Sequence, residues 1–266
     1  MSMEMERIEI AALADFWRAA PAGVRDALSL DLQQAGGATC FRSRAIAPAL
    51  MFRRAVGLGL ERPASPQDLD AICQVMDPLG QPWGLAVAPF ARPATLADAL
   101  PPRGFTPGYA WMKFQRRCDA MPPHETDLAV RTLQAADSAV FANVVGECFG
   151  LPALAREWLC VLPGRPRWTC VGAFDGNDAV AVGAAYLDGD VAWLGFGATL
   201  PLHRQRGAQN ALLALRIDEA AGLGARLAVT ETGERLPDKP SGSYRNILRA
   251  GFEETYLRRH WLRTPA

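Results

Sequence analysis

Two stretches of this chain end alike. "LPPRGFTPGYAWMKFQR", Leu100 to Arg116, and "ILRAGFEETYLRRHWLR", Ile247 to Arg263, align so that Gly104, Phe105, Tyr109 and Arg116 match Gly251, Phe252, Tyr256 and Arg263 at one constant spacing. In each, a helix is expected to stop at Gly-Phe, where glycine can take the left-handed conformation that closes a helix, and a strand follows. Upstream, "GLAVAP" (Gly84 to Pro89) echoes "RLAVTE" (Arg226 to Glu231). Glycine is common at helix ends, so one such match could be chance. A spacing shared by several positions predicts two copies of one unit, which limits the fold to architectures that fit twice into 266 residues. The break between them is placed at "MPPH", Met121 to His124, whose proline pair neither a helix nor a central strand would tolerate.

The chain is half hydrophobic, and its 28 basic residues are matched by 28 acidic ones. That is the profile of a folded globular protein without a polybasic block, so neither nucleic acid nor a membrane is expected as a partner. Cys40, Cys73, Cys118, Cys148, Cys160 and Cys170 stand singly, with no C-x-x-C pair and no histidine at metal spacing. No metal is expected. The opening "MSMEMERIEIAALADFW" has acids where a secretory signal needs a basic segment, and no apolar run is long enough to span a bilayer. A cytoplasmic location is expected.

The second half reads as an ordered series. "ADSAVFANVVGECFG" and "PALAREWLCVL" have helical spacing, and "RWTCVGAFDG" and "AVAVGAAYLDGDVAWLGFGATL" are β-rich runs broken by Asp-Gly turns. A helix with Leu213, Ile217 and Ala220 on one face follows, ending near Gly222 and Gly224. "ARLAVTET" is a buried strand, "SYRNILRA" a short helix and "TYLRRHWL" a last strand. Helices, an antiparallel meander, a strand-turn-helix-strand crossover, a helix and a strand make an α+β mixed sheet.

The turn that opens the crossover helix, "LPLHRQRGAQNALL", holds Arg204, Arg206 and Gly207 where the helix must start. A helix N-terminus offers unpaired N–H groups and partial positive charge, arginines add forked donors, and glycine lets an anion approach the backbone. Those elements suit a pyrophosphate. They equally suit a tight turn shaped by Gly207 with both arginines in solvent. Gly195 and Gly197, in "WLGFGATL", mark either a bulge and a close backbone approach or relief of crowding under a helix.

Residues 125 to 266 resemble the GNAT superfamily of acyl-CoA N-acyltransferases. Pro201, Arg204 and Gly207 stand where that family carries a proline followed by R/Q-x-x-G-x-G/A, Gln209 replaces the last small residue, and "SYRNILRAGFEE" resembles the closing helix. The resemblance implies acetyl-CoA, or another short acyl-CoA, as co-substrate. The main chain at Gly197, Ala198, Thr199 and Leu200 would bind the pantetheine arm. The turn Arg204, Gln205, Arg206, Gly207, Ala208 and Gln209 would bind the diphosphate, with Asn246 also on the cofactor. It implies tandem GNAT-like domains: 1–120 degenerate, with no R-x-x-G-x-G/A before "SPQDLDAICQVM", and 121–266 the acyl-CoA-binding N-acetyltransferase domain. For 1–120 the alternative is an unrelated helical cap.

On this resemblance the acceptor is a primary amine of a small molecule or peptide, and the protein acts as a monomer or homodimer. Glu231, at the end of "LAVTE", is the first choice for general base, with Glu147 as a second candidate and a plain surface carboxylate as the alternative. Where the family often carries a tyrosine acid, this chain has Ile247, leaving Tyr244 or Tyr256 as substitutes. Two other functions stay open: an acyl-CoA-binding protein without turnover, and a transferase with a different donor such as an aminoacylated tRNA.

Overall fold

The computed structural model describes residues 2–46, 50–122, 125–237 and 242–265. Pro123 and His124, half of the Met121–His124 break, lie outside the described residues. The chain forms two compact units, one of Met1–Met112 with Tyr256–Ala266 and one of Lys113–Thr255.

The first unit opens with α1 (Ser2–Arg18) and α2 (Ala22–Leu28). β1 (Asp31–Ala35) and β2 (Ala38–Arg42) form a hairpin, with Ala35 opposite Ala38 across Gly36 and Gly37, both at positive φ. β3 (Arg54–Val56) pairs antiparallel with β2 and parallel with β4 (Trp83–Val87), and α3 (Pro66–Met76) makes the crossover between them. Ser65 and Asp68 cap α3 reciprocally, with Pro66 in its first turn. β5 (Phe105–Arg117) leaves this unit at Met112, and the chain returns in the outer part of β11 (Glu253–Arg263), which pairs with β4 from Arg259↔Val87 to Arg263↔Trp83. The strand order is β1-β2-β3-β4-β11-β5. Trp83, Leu85, Ile72, Met76 and Phe105 anchor its core. Strands in this half exclude the helical-cap alternative.

The second unit contains β6 (Ala129–Leu133), α4 (Ser138–Cys148), α5 (Ala153–Leu159), β7 (Trp168–Asp175), β8 (Asp178–Asp188), β9 (Val191–Thr199), α6 (Ala208–Gly222), β10 (Leu227–Gly233) and α7 (Gly242–Arg249). β7 to β9 are the expected antiparallel meander, β6, a strand not expected from the sequence, extends it, and α6 crosses over to place β10 parallel to β9. The order is β11-β5-β10-β9-β8-β7-β6. Side chains alternate across the sheet. Val171, Ala173 and Ala181 meet Ala208 and Leu212 of α6 on one face, while Trp168, Tyr186 and Trp193 cluster on the other.

Each unit thus runs strand, crossover helix, parallel strand, Gly-Phe, long strand, with Gly104 (φ 78°) and Gly251 (φ 77°) both left-handed. One expectation is corrected: α7 precedes Gly251, but only 3-10 turns, Leu96–Ala99 and Pro101–Arg103, precede Gly104. Pro101 and Pro102 supply no N–H to an α-helical ladder.

The first unit buries an ionic cluster. Glu9 is fully buried and accepts from Arg54 at 2.7 Å and from both terminal nitrogens of Arg258. Glu6 accepts from Arg258 at 2.9 Å and from the Tyr256 hydroxyl at 2.7 Å. Removing one member strands the others in a low-dielectric interior. Glu9→Ala is therefore expected to cost about 3–5 kcal/mol in urea unfolding, whereas Glu61→Ala, in the exposed and solvent-screened pair with Arg7, leaves the unfolding midpoint essentially unchanged.

Candidate functional site

Parallel β9 and β10 register at Leu227↔Val191, Ala228↔Ala192 and Val229↔Trp193, and the ladder ends there. The next contact between them is a side chain: Thr230 donates its hydroxyl to the Leu194 carbonyl at 2.8 Å. Gly195 to Thr199 then run on with no partner strand on the β10 side among the described residues, an open edge of the sheet.

The same segment is bulged. Val182 pairs with Ala198 and Ala184 with Gly195, so Gly183 faces two residues, Phe196 and Gly197. Phe196 takes φ 53°, and its ring lies with Trp168, Trp193 and Phe141 of α4. The two glycines have different reasons. A Cβ on Gly195 would overlap the Trp193 indole, so Gly195 relieves crowding. Gly197 is exposed on the open edge, and a Cβ there would lie 3.1 Å from the Gln209 amide oxygen.

Beyond Thr199 the chain turns through Leu200 and the 3-10 turn Pro201–His203 into α6. Gln205 (φ 68°) and Gly207 (φ 77°) are both left-handed. A Cβ on Gly207 would overlap the Glu125 carbonyl oxygen, so glycine is required there. The main-chain N–H groups of Gln205 to Gln209 have no acceptor among the described residues. Alternating left-handed residues at a helix N-terminus form an anion-binding nest. Ala208 is buried beneath it.

The side chains of the turn divide the work. Arg204 is exposed and makes no ion pair among the described residues. Arg206 is committed to Asp127 and Asp175, and this guanidinium holds both carboxyls below their usual range. Its carbonyl accepts from Thr126 at 2.8 Å, so Arg206 braces the turn from below. Gln209 donates its amide to the Ala198 carbonyl at 3.1 Å and to the Thr199 hydroxyl at 2.8 Å, fixing the end of β9 to the start of α6.

Glu231 is the carboxylate at the end of β10. Its side chain is 5% exposed and ion-paired to Lys113 of β5, itself buried. Tyr244 of α7 donates its hydroxyl to Glu254 and packs edge-on against Phe114; burial and the Glu254 carboxylate push it up to about 12. Tyr256 belongs to the first unit, committed to Glu6. Glu147 is exposed near the end of α4, and Asn246 is half-buried in α7, its carbonyl accepting the Ala250 N–H at 2.9 Å. One segment thus joins Gly197–Leu200 and Arg204–Gln209. Lys113, Thr230 and Arg216 lie beyond what sequence reasoning named; a charge at Arg216, four residues after Leu212 on a buried helix face, was the one available signal.

The first unit treats the equivalent places differently. At the start of α3 the Asp68 carboxylate accepts the Ser65 N–H at 2.8 Å and two bonds from Arg62, and these partners hold it well below the usual carboxylate range. Beyond β3 the chain is stitched to residues after β4: Gly59 accepts the Arg92 N–H at 2.9 Å, and Arg92 accepts that of Ala64 at 2.7 Å.

No family model and no curated protein matches this chain. Solved structures do. A GCN5-related N-acetyltransferase from Kribbella flavida superposes with a TM-score of 0.65 over 94% of this chain and 96% of that one, at 18% identity. A tandem GNAT protein from the clavulanic acid biosynthesis pathway gives 0.56 over 80% of this chain and 75% of that one, at 15% identity. A GNAT-family protein from Novosphingobium aromaticivorans gives 0.53 over 94% and 97%, at 14% identity. Likeness at such low identity is likeness of fold. With its crossover architecture present twice and matched along nearly its whole length, this chain is a tandem GNAT-fold protein.

Proposed function

We propose that the second unit, Lys113–Thr255, is an acyl-CoA-dependent N-acyltransferase that moves an acetyl or short acyl group to a primary amine of a small molecule or peptide. The observation that carries this reading is the continuity of the open β9 edge with the nest at α6. An extended amide-bearing arm with a diphosphate at its far end matches a strand edge that has no partner strand and leads into five N–H groups without an acceptor among the described residues. Arg204 is the side chain free to grip phosphate, while Arg206 and Gln209 hold the turn in shape.

In the reaction the amine nitrogen forms a bond to the thioester carbonyl carbon, the carbon–sulfur bond breaks, the thiolate leaves, and the ammonium proton passes to a base. An N–H on the open edge stabilises the carbonyl oxygen as charge builds on it. Glu231, ion-paired to Lys113, receives the amine proton through water. No side-chain acid is required for the sulfur, because a free thiol has a pKa of about 8.5. Tyr244, with its hydroxyl given to Glu254, is a poor donor at neutral pH.

One observation favours a second reading, binding without turnover: Glu231 and Tyr244 already have partners inside the unit. Thiol release with a panel of primary amines decides between the two, since a protein that binds acetyl-CoA but releases no thiol with any amine is a binding protein. The first unit supports a single site, since Asp68 fills its own helix terminus and the stitched loops close the gap beside β3.

Titration calorimetry with a non-hydrolysable acetyl-CoA analogue is expected to give one molecule per chain; two would overturn the single-site reading. Arg204→Ala should weaken that binding by about 1.5–3 kcal/mol, the worth of a charge-assisted contact. Gly207→Ala, with its Cβ against Glu125, should abolish it. In turnover, Tyr244→Phe should leave kcat within about threefold and the pH profile unchanged, because a phenol pushed up to about 12 does not titrate across the working range. A loss of two orders of magnitude would make Tyr244 the acid.

A further inference from the structure

Arg216 lies on α6, 2% exposed, and pairs with no carboxylate among the described residues. It donates Nε to the Leu212 carbonyl one turn back at 3.0 Å, and Nη1 to the Ala184 carbonyl at 3.2 Å and the Gly195 carbonyl at 3.3 Å. Ala184 and Gly195 are the register pair next to the bulge. Room for a guanidinium exists for two reasons. The left-handed turn at Phe196 swings that ring to the aromatic face, and the opposing residue is Gly183, where a Cβ would stand 2.7 Å from the Arg216 Cζ. Burial pushes Arg216 down to about 10, so it stays charged at neutral pH.

Burying a charge without a counterion is costly, and helix-to-sheet packing alone would be served by leucine or methionine. What an apolar residue cannot do is donate to two carbonyls beside a bulge, whose ladder is broken. We propose that Arg216 is a positioning residue for the acyl-binding edge: its guanidinium holds the Gly195 and Ala184 carbonyls toward α6, and so fixes the orientation in which Gly195 to Thr199 receive the pantetheine arm and thioester. The assignment rests on the acyl-CoA reading of this site. It adds that affinity for the arm, as distinct from the diphosphate end, is set from beneath the sheet by a residue that touches no ligand.

The two ends of the ligand provide the test. Acetyl-CoA spans the edge and the nest, whereas adenosine 3′,5′-bisphosphate carries phosphates without the pantetheine arm. In the full-length protein, Arg216→Met is expected to weaken binding of a non-hydrolysable acetyl-CoA analogue about tenfold or more, with affinity for the bisphosphate within about twofold of the parent. Arg216→Lys, which keeps a donor, should recover part of the loss. Gly183→Ala keeps Arg216 and its charge but pushes the guanidinium off the carbonyls, so it should reproduce the same split even if Arg216→Met does not fold. Equal losses for both ligands in the folded variants, or no loss for either, would overturn the assignment. Failure of the parent to bind either ligand would instead remove the acyl-CoA reading itself, and the assignment with it.

Discussion

The site depends on a hydrogen-bond ladder that stops early. β9 and β10 pair for three residues and then part, with Thr230 Oγ1 bridging the last gap to the Leu194 carbonyl. A strand inside a sheet ordinarily has both edges satisfied, and an unsatisfied edge is an invitation to bind. Three features brace the segment around this opening. The bulge turns Phe196 into the aromatic cluster, Gln209 fastens the strand end to the helix that follows, and Arg206 ties the turn to Asp127 and Asp175.

The two repeats show how little separates an open site from a closed one. Both have a parallel strand pair joined by a crossover helix. In the second, the helix begins at a left-handed glycine with no side-chain cap, and its N–H groups are left for something else. In the first, it begins with a Ser65–Asp68 capping box. A capping box is a stabilising way to start a helix and, for the same reason, a poor anion site: a carboxylate already sits where the anion would go. On the proposed function, folding stability and ligand binding compete for the same few donors.

Local rules made a good part of this legible in the sequence. Gly104, Gly251 and Gly207 are where a left-handed residue is needed, and the strands and helices of the second unit follow the periodicity of their apolar residues. What was not legible is what depends on partners distant along the chain. Lys113 meets Glu231 across 118 residues, so a carboxylate that reads as a free base is one half of a buried pair. Arg206 reads as a phosphate ligand until Asp127 and Asp175 are placed beside it. Arg216 stands out in the sequence only as a charge on the apolar face of its helix, and what it does there is not legible, because the void it fills exists only once Phe196 turns away and Gly183 lies opposite. Gly195 and Gly197 look equivalent in the sequence and serve different ends, which a neighbouring tryptophan decides.

The return of the last strand to the first unit has a consequence for how the protein is made. β4 is buried, and its antiparallel partner is β11, whose Arg259 to Arg263 pair with Val87 to Trp83. A chain emerging from the ribosome therefore presents its first unit with β4 unpaired on that side until β11 has been synthesised. The Glu6–Glu9–Arg54 cluster likewise waits for Arg258 to supply its second cation. Domains usually fold in the order they are translated. Here the first unit cannot close until β11 is made, so while the second unit is being synthesised it carries an open sheet edge at β4 and two interior carboxylates that lack one of their cations.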